Sequence, residues 1–146
     1  MLLLGLAATI VQTPLVGGWA HFVRTSALDS RTVEIGTGEQ ATNDRRGYRL
    51  RLTKQSKDGA VQTRFAYSND CSEARAVILS MRSLKMPAPA PYGERPLRPL
   101  IMDGPSYEFG APSSYMLGSI SITSGAGTPL SKWVDAALIK LDRCWK

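Results

Sequence analysis

Tyr48-Arg-Leu-Arg-Leu-Thr53 alternates apolar and polar side chains without a break, and after the turn signal Ser56-Lys-Asp-Gly59 the run Val61-Gln-Thr-Arg-Phe-Ala-Tyr67 alternates again. Successive side chains of a strand point to opposite faces, so each run reads as a half-buried β-strand and the two together as an antiparallel hairpin. Tyr48, Leu50 and Leu52 mark the inner face of the first strand, with Arg49, Arg51 and Thr53 outside. Val61, Phe65 and Tyr67 mark the apolar face of the second, which turns Arg64 outward beside Arg49 and Arg51.

Working outward, residues 21–26 and 31–35 are short β-branched runs separated by Leu28-Asp-Ser, a second hairpin. Ser106-Tyr-Glu-Phe and the run from Tyr115 to Thr123 predict two further strands. Residues 73–86 fit two templates. Ala74, Val77, Ile78, Met81 and Leu84 recur at helical spacing, with Asp70 and Glu73 as a capping box, while Arg75, Val77, Leu79 and Met81 alternate as in a strand. Five prolines between positions 87 and 99 exclude regular structure and predict a loop of polyproline character. Residues 129–143 predict a helix: Thr128 is the N-cap, Pro129 opens the first turn, and Leu130, Val134, Ala137, Leu138 and Leu141 form its apolar stripe. Lys132, Asp135, Lys140 and Arg143 are expected to face water. The fold class expected is therefore α+β, an antiparallel β-sheet domain with a C-terminal helix and one disulfide.

The first residues, Met-Leu-Leu-Leu-Gly-Leu-Ala-Ala-Thr-Ile-Val, are an apolar run that ends before Pro14, and Gly18 and Ala20 supply the small residues of a cleavage site. Residues 1–20 read as a signal peptide, with cleavage expected after Ala20 and residues 21–146 as a single domain. The alternatives are an uncleaved anchor helix, although a span needs roughly 20 mostly apolar residues and Pro14 and the glycine pair interrupt this run, and a buried part of the fold. The domain is expected to be periplasmic or secreted, with no stable membrane span in its mature form. In that compartment an even cysteine count favours pairing, and Cys71 and Cys144 close a loop of about 70 residues, a constraint on the unfolded chain of about 4 kcal/mol.

Catalytic signatures fail in turn. The single histidine, His21, is expected at a frayed mature N-terminus, where an imidazole is poorly oriented. Neither Gly-x-Ser-x-Gly nor Ser-x-x-Lys occurs, and one histidine with two paired cysteines leaves few zinc ligands. No catalytic residue, metal or cofactor is assigned. The glycine-rich run from Ser124 to Lys132 matches neither phosphate-binding fingerprint and reads as a capped strand-to-helix turn. Arg95-Pro-Leu-Arg-Pro99 reads as a stiff loop rather than as a ligand for aromatic-lined grooves.

The formal charge is +6, and Arg45, Arg46, Arg49, Arg51, Lys54, Lys57 and Arg64 crowd into twenty residues against Asp44 and Asp58. Arg46, Arg49, Arg51, Lys54 and Arg64 are the candidate anion-binding residues, for lipopolysaccharide phosphate, acidic polysaccharide or an acidic protein. The same charges also suit an ordinary solvated sheet face that resists edge aggregation. Nucleic acid is not expected, because the compartment argues against it and no aromatic ladder stands on that face.

Trp19, the short strands around Asp29, the run Asp70-Cys71-Ser-Glu-Ala-Arg75 and the cysteine at the C-terminal end resemble the small exported bacterial β-domains of the surface-adhesin-E-like type. The resemblance covers about half of the chain. It implies that the two cysteines pair, that residues 73–82 form a strand, and that the domain adheres to a partner outside the cell. The expectation is a non-enzymatic extracytoplasmic binding or adhesion module of the cell envelope. The alternative is a structural or accessory subunit of an envelope assembly.

Overall fold

The computed structural model describes residues 15–38, 46–89, 91, 104–113 and 117–146. The two alternating runs form β3 (Tyr48–Ser56) and β4 (Val61–Tyr67). With β1 (Gly18–Thr25), β2 (Asp29–Thr37), β5 (Ser106–Pro112) and β6 (Ser119–Ser124) they make one antiparallel six-stranded sheet in the order β4-β3-β2-β1-β5-β6. The strand expected from Tyr115 begins at Ser119, and positions 115 and 116 lie outside the described residues.

One face of the sheet carries Phe22, Val33, Ile35, Leu50, Ala66 and Phe109, all buried. Against it pack α1 (Ser72–Ser80), through Ala74, Val77 and Ile78, and α2 (Pro129–Leu141), through Leu130, Val134, Ala137 and Leu141. Trp133 of α2 meets Phe22 and Phe109 edge to face, with ring centroids 5.2 and 5.6 Å apart, and its indole N–H donates to Ser80 Oγ at 2.9 Å. One side chain thus ties β1, β5 and both helices. The N-terminus of α2 has the expected cap: Thr128 accepts from the Ser131 N–H, and the Ser131 hydroxyl reciprocates at the Thr128 N–H.

Two readings are corrected here. Residues 72–80 are a helix, followed by a 3₁₀ turn at Met81–Ser83, and not the strand implied by the resemblance. Tyr67 O accepts from the N–H groups of Asp70 and Cys71, so the chain turns off the sheet edge and over its inner face. There the helical period buries Ala74, Val77 and Ile78 together, whereas a strand would have put Arg75 and Val77 on one side. No capping box forms: Cys71 is the N-cap without a side-chain bond, and Asp70 pairs instead with Lys146 at 2.8 Å.

The second correction is to β4. Leu50 stands opposite Ala66 and Leu52 opposite Arg64, so Ala66 and Arg64 lie on the helix side. Phe65 and Tyr67 stand opposite Arg51 and Arg49 on the other face. The hairpin loop sets this register, since Ser56 N–H bonds Ala60 O, and a strand's register fixes which alternate set turns inward. Alternation within β4 alone could not choose between its two faces.

The first and last described residues are tied to the sheet. Leu15 is 7 % exposed and its N–H reaches Glu34 Oε1 at 3.4 Å. Gly17 takes φ +68°, a left-handed turn that feeds β1. Trp19 sets its ring 5.9 Å from Tyr48, and Ala20 is buried. A cut after Ala20 would therefore fall inside β1. At the other end Cys71 and Cys144 form a disulfide with Cα atoms 5.7 Å apart. Lys146 then exchanges two backbone hydrogen bonds with Phe65, at 2.9 and 3.2 Å, on the open edge of β4. Positions 87–89 and 91 of the proline-rich stretch have no regular structure, and position 90 with 92–99, including Arg95 to Pro99, lies outside the described residues.

Replacing Trp133 by Ala is expected to lower stability by about 3–5 kcal/mol, the cost of emptying a packed aromatic site. Trp133→Phe, which keeps ring contacts but loses the Ser80 hydrogen bond, should cost less. Chemical denaturation of both variants measures the order, and equal midpoints for all three proteins would show that α2 is peripheral.

Candidate functional site

The five sequence-assigned cations do not form one patch. Arg49 and Arg51 lie on the sheet face opposite the helices, Lys54 and Arg64 on the helix side, and Arg46 just before β3. Because Lys54 continues the series Tyr48, Leu50, Leu52, its side was already written in the alternation.

On the outer face the arginines are engaged. Arg51 Nε is 2.6 Å from Glu34 Oε2, in a pair with side chains 15 % and 21 % exposed. The Arg49 guanidinium carbon stands 4.6 Å from the Phe65 ring centroid, and its buried Nε has no hydrogen-bond partner among the described residues. The aromatics that sequence placed inside are thus next to the arginines. His21, expected at a frayed end, is the fourth residue of a central strand. Its imidazole crosses β5 at Gly110, where any Cβ would collide with the ring, and Nε2 lies 3.1 Å from Glu108 Oε1. The ring is therefore oriented, and its hydrogen bond goes to a carboxylate rather than to a hydroxyl or thiol. Cys71, Glu73 and Cys144 gather within 4.8 Å, but the disulfide occupies both sulfurs, so no thiolate is available to a metal.

The helix side of the sheet also collects positive charge. Arg24 stands opposite Arg31, and Arg31 opposite Lys54, a row of three cations on adjacent strands, with Arg64 diagonal to Lys54. Like charges directly opposite one another destabilise a sheet unless they are compensated. Arg24 has two acids, Asp135 at 3.2 Å and Asp29 at 3.8 Å, and Asp135 also accepts from the Tyr107 hydroxyl at 3.0 Å. Asp135, expected to face water, is thus tied to the sheet. Arg31 has Asp29 at 2.9 Å. Lys54 and Arg64 have no ion pair within 4.0 Å among the described residues. Compensation therefore fades along the row from Arg24 towards Arg64.

Asp29 is the keystone of that row. Its partial burial raises its carboxyl, but hydrogen bonds from Arg31 and Ser26 and the charges of Arg31 and Lys54 outweigh burial and hold it below the usual carboxylate range.

Two depressions meet on this surface and share Arg31 and Lys54. One, of about 620 Å³, lies among Arg24, Asp29 and the β1–β2 turn. The other, of about 180 Å³, lies among Leu52, Gln62, Arg64, Asp142 and Trp145. Arg24, Arg31 and Trp145 were not picked out by sequence reasoning. For the arginines the signal is their spacing, two residues from the core positions Phe22 and Val33. For Trp145 there is none, since only the disulfide and the Lys146 bonds bring it to β4.

The chain matches no protein-family model, no curated protein and no solved structure.

Because the Asp29 carboxyl is lowered in the fold, its contribution to stability is fully present above about pH 4, the unfolded value, and is lost as pH falls through the folded one. Asp29→Asn should therefore melt below the parent at neutral pH, with the gap closing in acid. Thermal midpoints of both proteins across pH measure this, and a gap that persists unchanged in strong acid would show that Asp29 acts through packing alone.

Proposed function

We propose that the protein is a non-enzymatic binding or adhesion module of the cell envelope, periplasmic or secreted, that holds an anionic partner on its helix-side cation row. The observation that carries this reading is the graded compensation from Arg24 to Arg64. The sheet keeps cations in register across three strands and leaves Lys54 and Arg64 without an ion pair within 4.0 Å among the described residues, an arrangement that costs folding energy and attracts anions. The disulfide supports an oxidising compartment, and no described helix is long and apolar enough to cross a membrane. Packing of Leu15, Trp19 and Ala20 into the fold supports export processing before Leu15 rather than after Ala20.

The alternative, an accessory subunit of an envelope assembly, draws on Ile139 of α2 and Leu79 of α1, which are 75 % and 52 % exposed. Ionic strength separates the two readings, since a screened attraction weakens with salt and an apolar contact does not.

Mass spectrometry of protein secreted by its native host should find an N-terminus at or before Leu15 and no thiol open to alkylation. A chain starting at His21, or one with two alkylated cysteines, would overturn the processing and compartment assignments. Binding of the purified protein to lipopolysaccharide, to a polyuronate and to neutral dextran should be confined to the anionic ligands. It should weaken as salt shortens the screening length from about 30 Å at 0.01 M to about 8 Å at 0.15 M. Lys54→Ser with Arg64→Ser should reduce it, and Arg49→Ser should not. Failure to bind either anionic polymer at low salt would end the reading, and salt-resistant capture of envelope proteins would favour the assembly.

A further inference from the structure

Resting on that reading of the cation row, we infer that the smaller depression is a subsite for one acidic sugar unit, and that the ligand is a polysaccharide bearing carboxylates. It is the smaller of the two depressions, about 180 Å³ against about 620 Å³. The lining is mixed in the way a sugar carboxylate requires. Lys54 and Arg64 supply charge for the carboxylate, and Trp145 and Leu52 supply apolar surface for the ring's C–H face. Gln62 can donate and accept, and Asp142 accepts from hydroxyl groups. Asp142 also argues against phosphate, because a carboxylate repels a dianion at close range but takes hydrogen bonds from sugar hydroxyls.

Trp145 is held in place before any ligand arrives. Cys144 on one side is bonded to Cys71, and Lys146 on the other is hydrogen-bonded to both backbone groups of Phe65, the neighbour of Arg64. An aromatic platform anchored at both flanking residues loses little freedom on binding. The larger depression shares Arg31 and Lys54 with this subsite, so a chain can continue from one into the other along the cation row. That continuity favours a polymer over an isolated small acid.

The test uses the full exported protein with an oligogalacturonate, a neutral dextran oligosaccharide and inorganic polyphosphate, followed by calorimetry. Oligogalacturonate should bind and dextran should not. Arg64→Ser and Gln62→Ala should each weaken oligogalacturonate by about tenfold, the effect of losing one good polar contact, and Trp145→Phe, which keeps a smaller ring, should weaken it by less. Arg64 and Gln62 are exposed, so those variants keep the fold even if Trp145→Phe does not. Polyphosphate, if bound, should respond to Arg64→Ser but not to Gln62→Ala. Oligogalacturonate binding unchanged by Arg64→Ser and Gln62→Ala, or polyphosphate preferred over it, would overturn the sugar subsite and leave an anion-binding module standing. Absence of binding to all three ligands and to lipopolysaccharide would remove both readings.

Discussion

Trp133 is where the sheet and both helices become one body. Its ring edges meet Phe22 and Phe109 on adjacent strands, and its indole N–H is satisfied by Ser80 at the end of α1. A large aromatic with one polar handle can do this because burial of the ring and satisfaction of the N–H call for the same placement. With α2 fixed on β1 and β5, Asp135 comes within reach of Arg24 and Tyr107, and the last residues are delivered towards β4. The charge pattern of the cation row thus descends from a packing contact.

The disulfide acts at the other end of the same helix. Cys71 follows directly on β4 and its turn, and Cys144 ends the 3₁₀ turn after α2, so the bond joins the sheet edge, the start of α1 and the C-terminus. Lys146 then bonds the backbone of Phe65, which shields part of an edge strand that would otherwise offer free N–H and C=O groups to another chain. Trp145, lying between these two anchors, becomes a fixed wall of a depression instead of a loose end. Edge protection and site construction are here one arrangement.

The two sheet faces divide the chain's positive charge into different roles. On the outer face Arg51 serves Glu34 and Arg49 covers Phe65, so those arginines act largely within the fold. On the helix side Arg24 and Arg31 are balanced by Asp29 and Asp135, and the excess is left at Lys54 and Arg64. Net charge and local clustering in sequence cannot report this. A cation's availability depends on which acids the topology places beside it, and Asp135 lies more than a hundred residues from Arg24 in sequence.

Local pattern alone determined the antiparallel hairpins, the capped C-terminal helix with its apolar stripe, and an even pair of cysteines. Each rests on neighbouring residues: a period of two, a period of 3.6 with Thr128 and Pro129 at the start, and a count. Tertiary structure decided what local pattern left balanced. Residues 72–80 could be helix or strand until the turn after Tyr67 placed them over the sheet, where only the helical face buries Ala74, Val77 and Ile78 at once. The side taken by Arg64 followed from the hairpin loop, because a one-residue change of register exchanges every side chain in a strand between faces. His21 became an oriented group only when β5 brought Gly110 beneath it and Glu108 beside it, 87 residues away. Trp145 joined Lys54 and Arg64 only through a disulfide and a backbone pair that close long loops, and contacts of that range leave no periodic trace in the sequence.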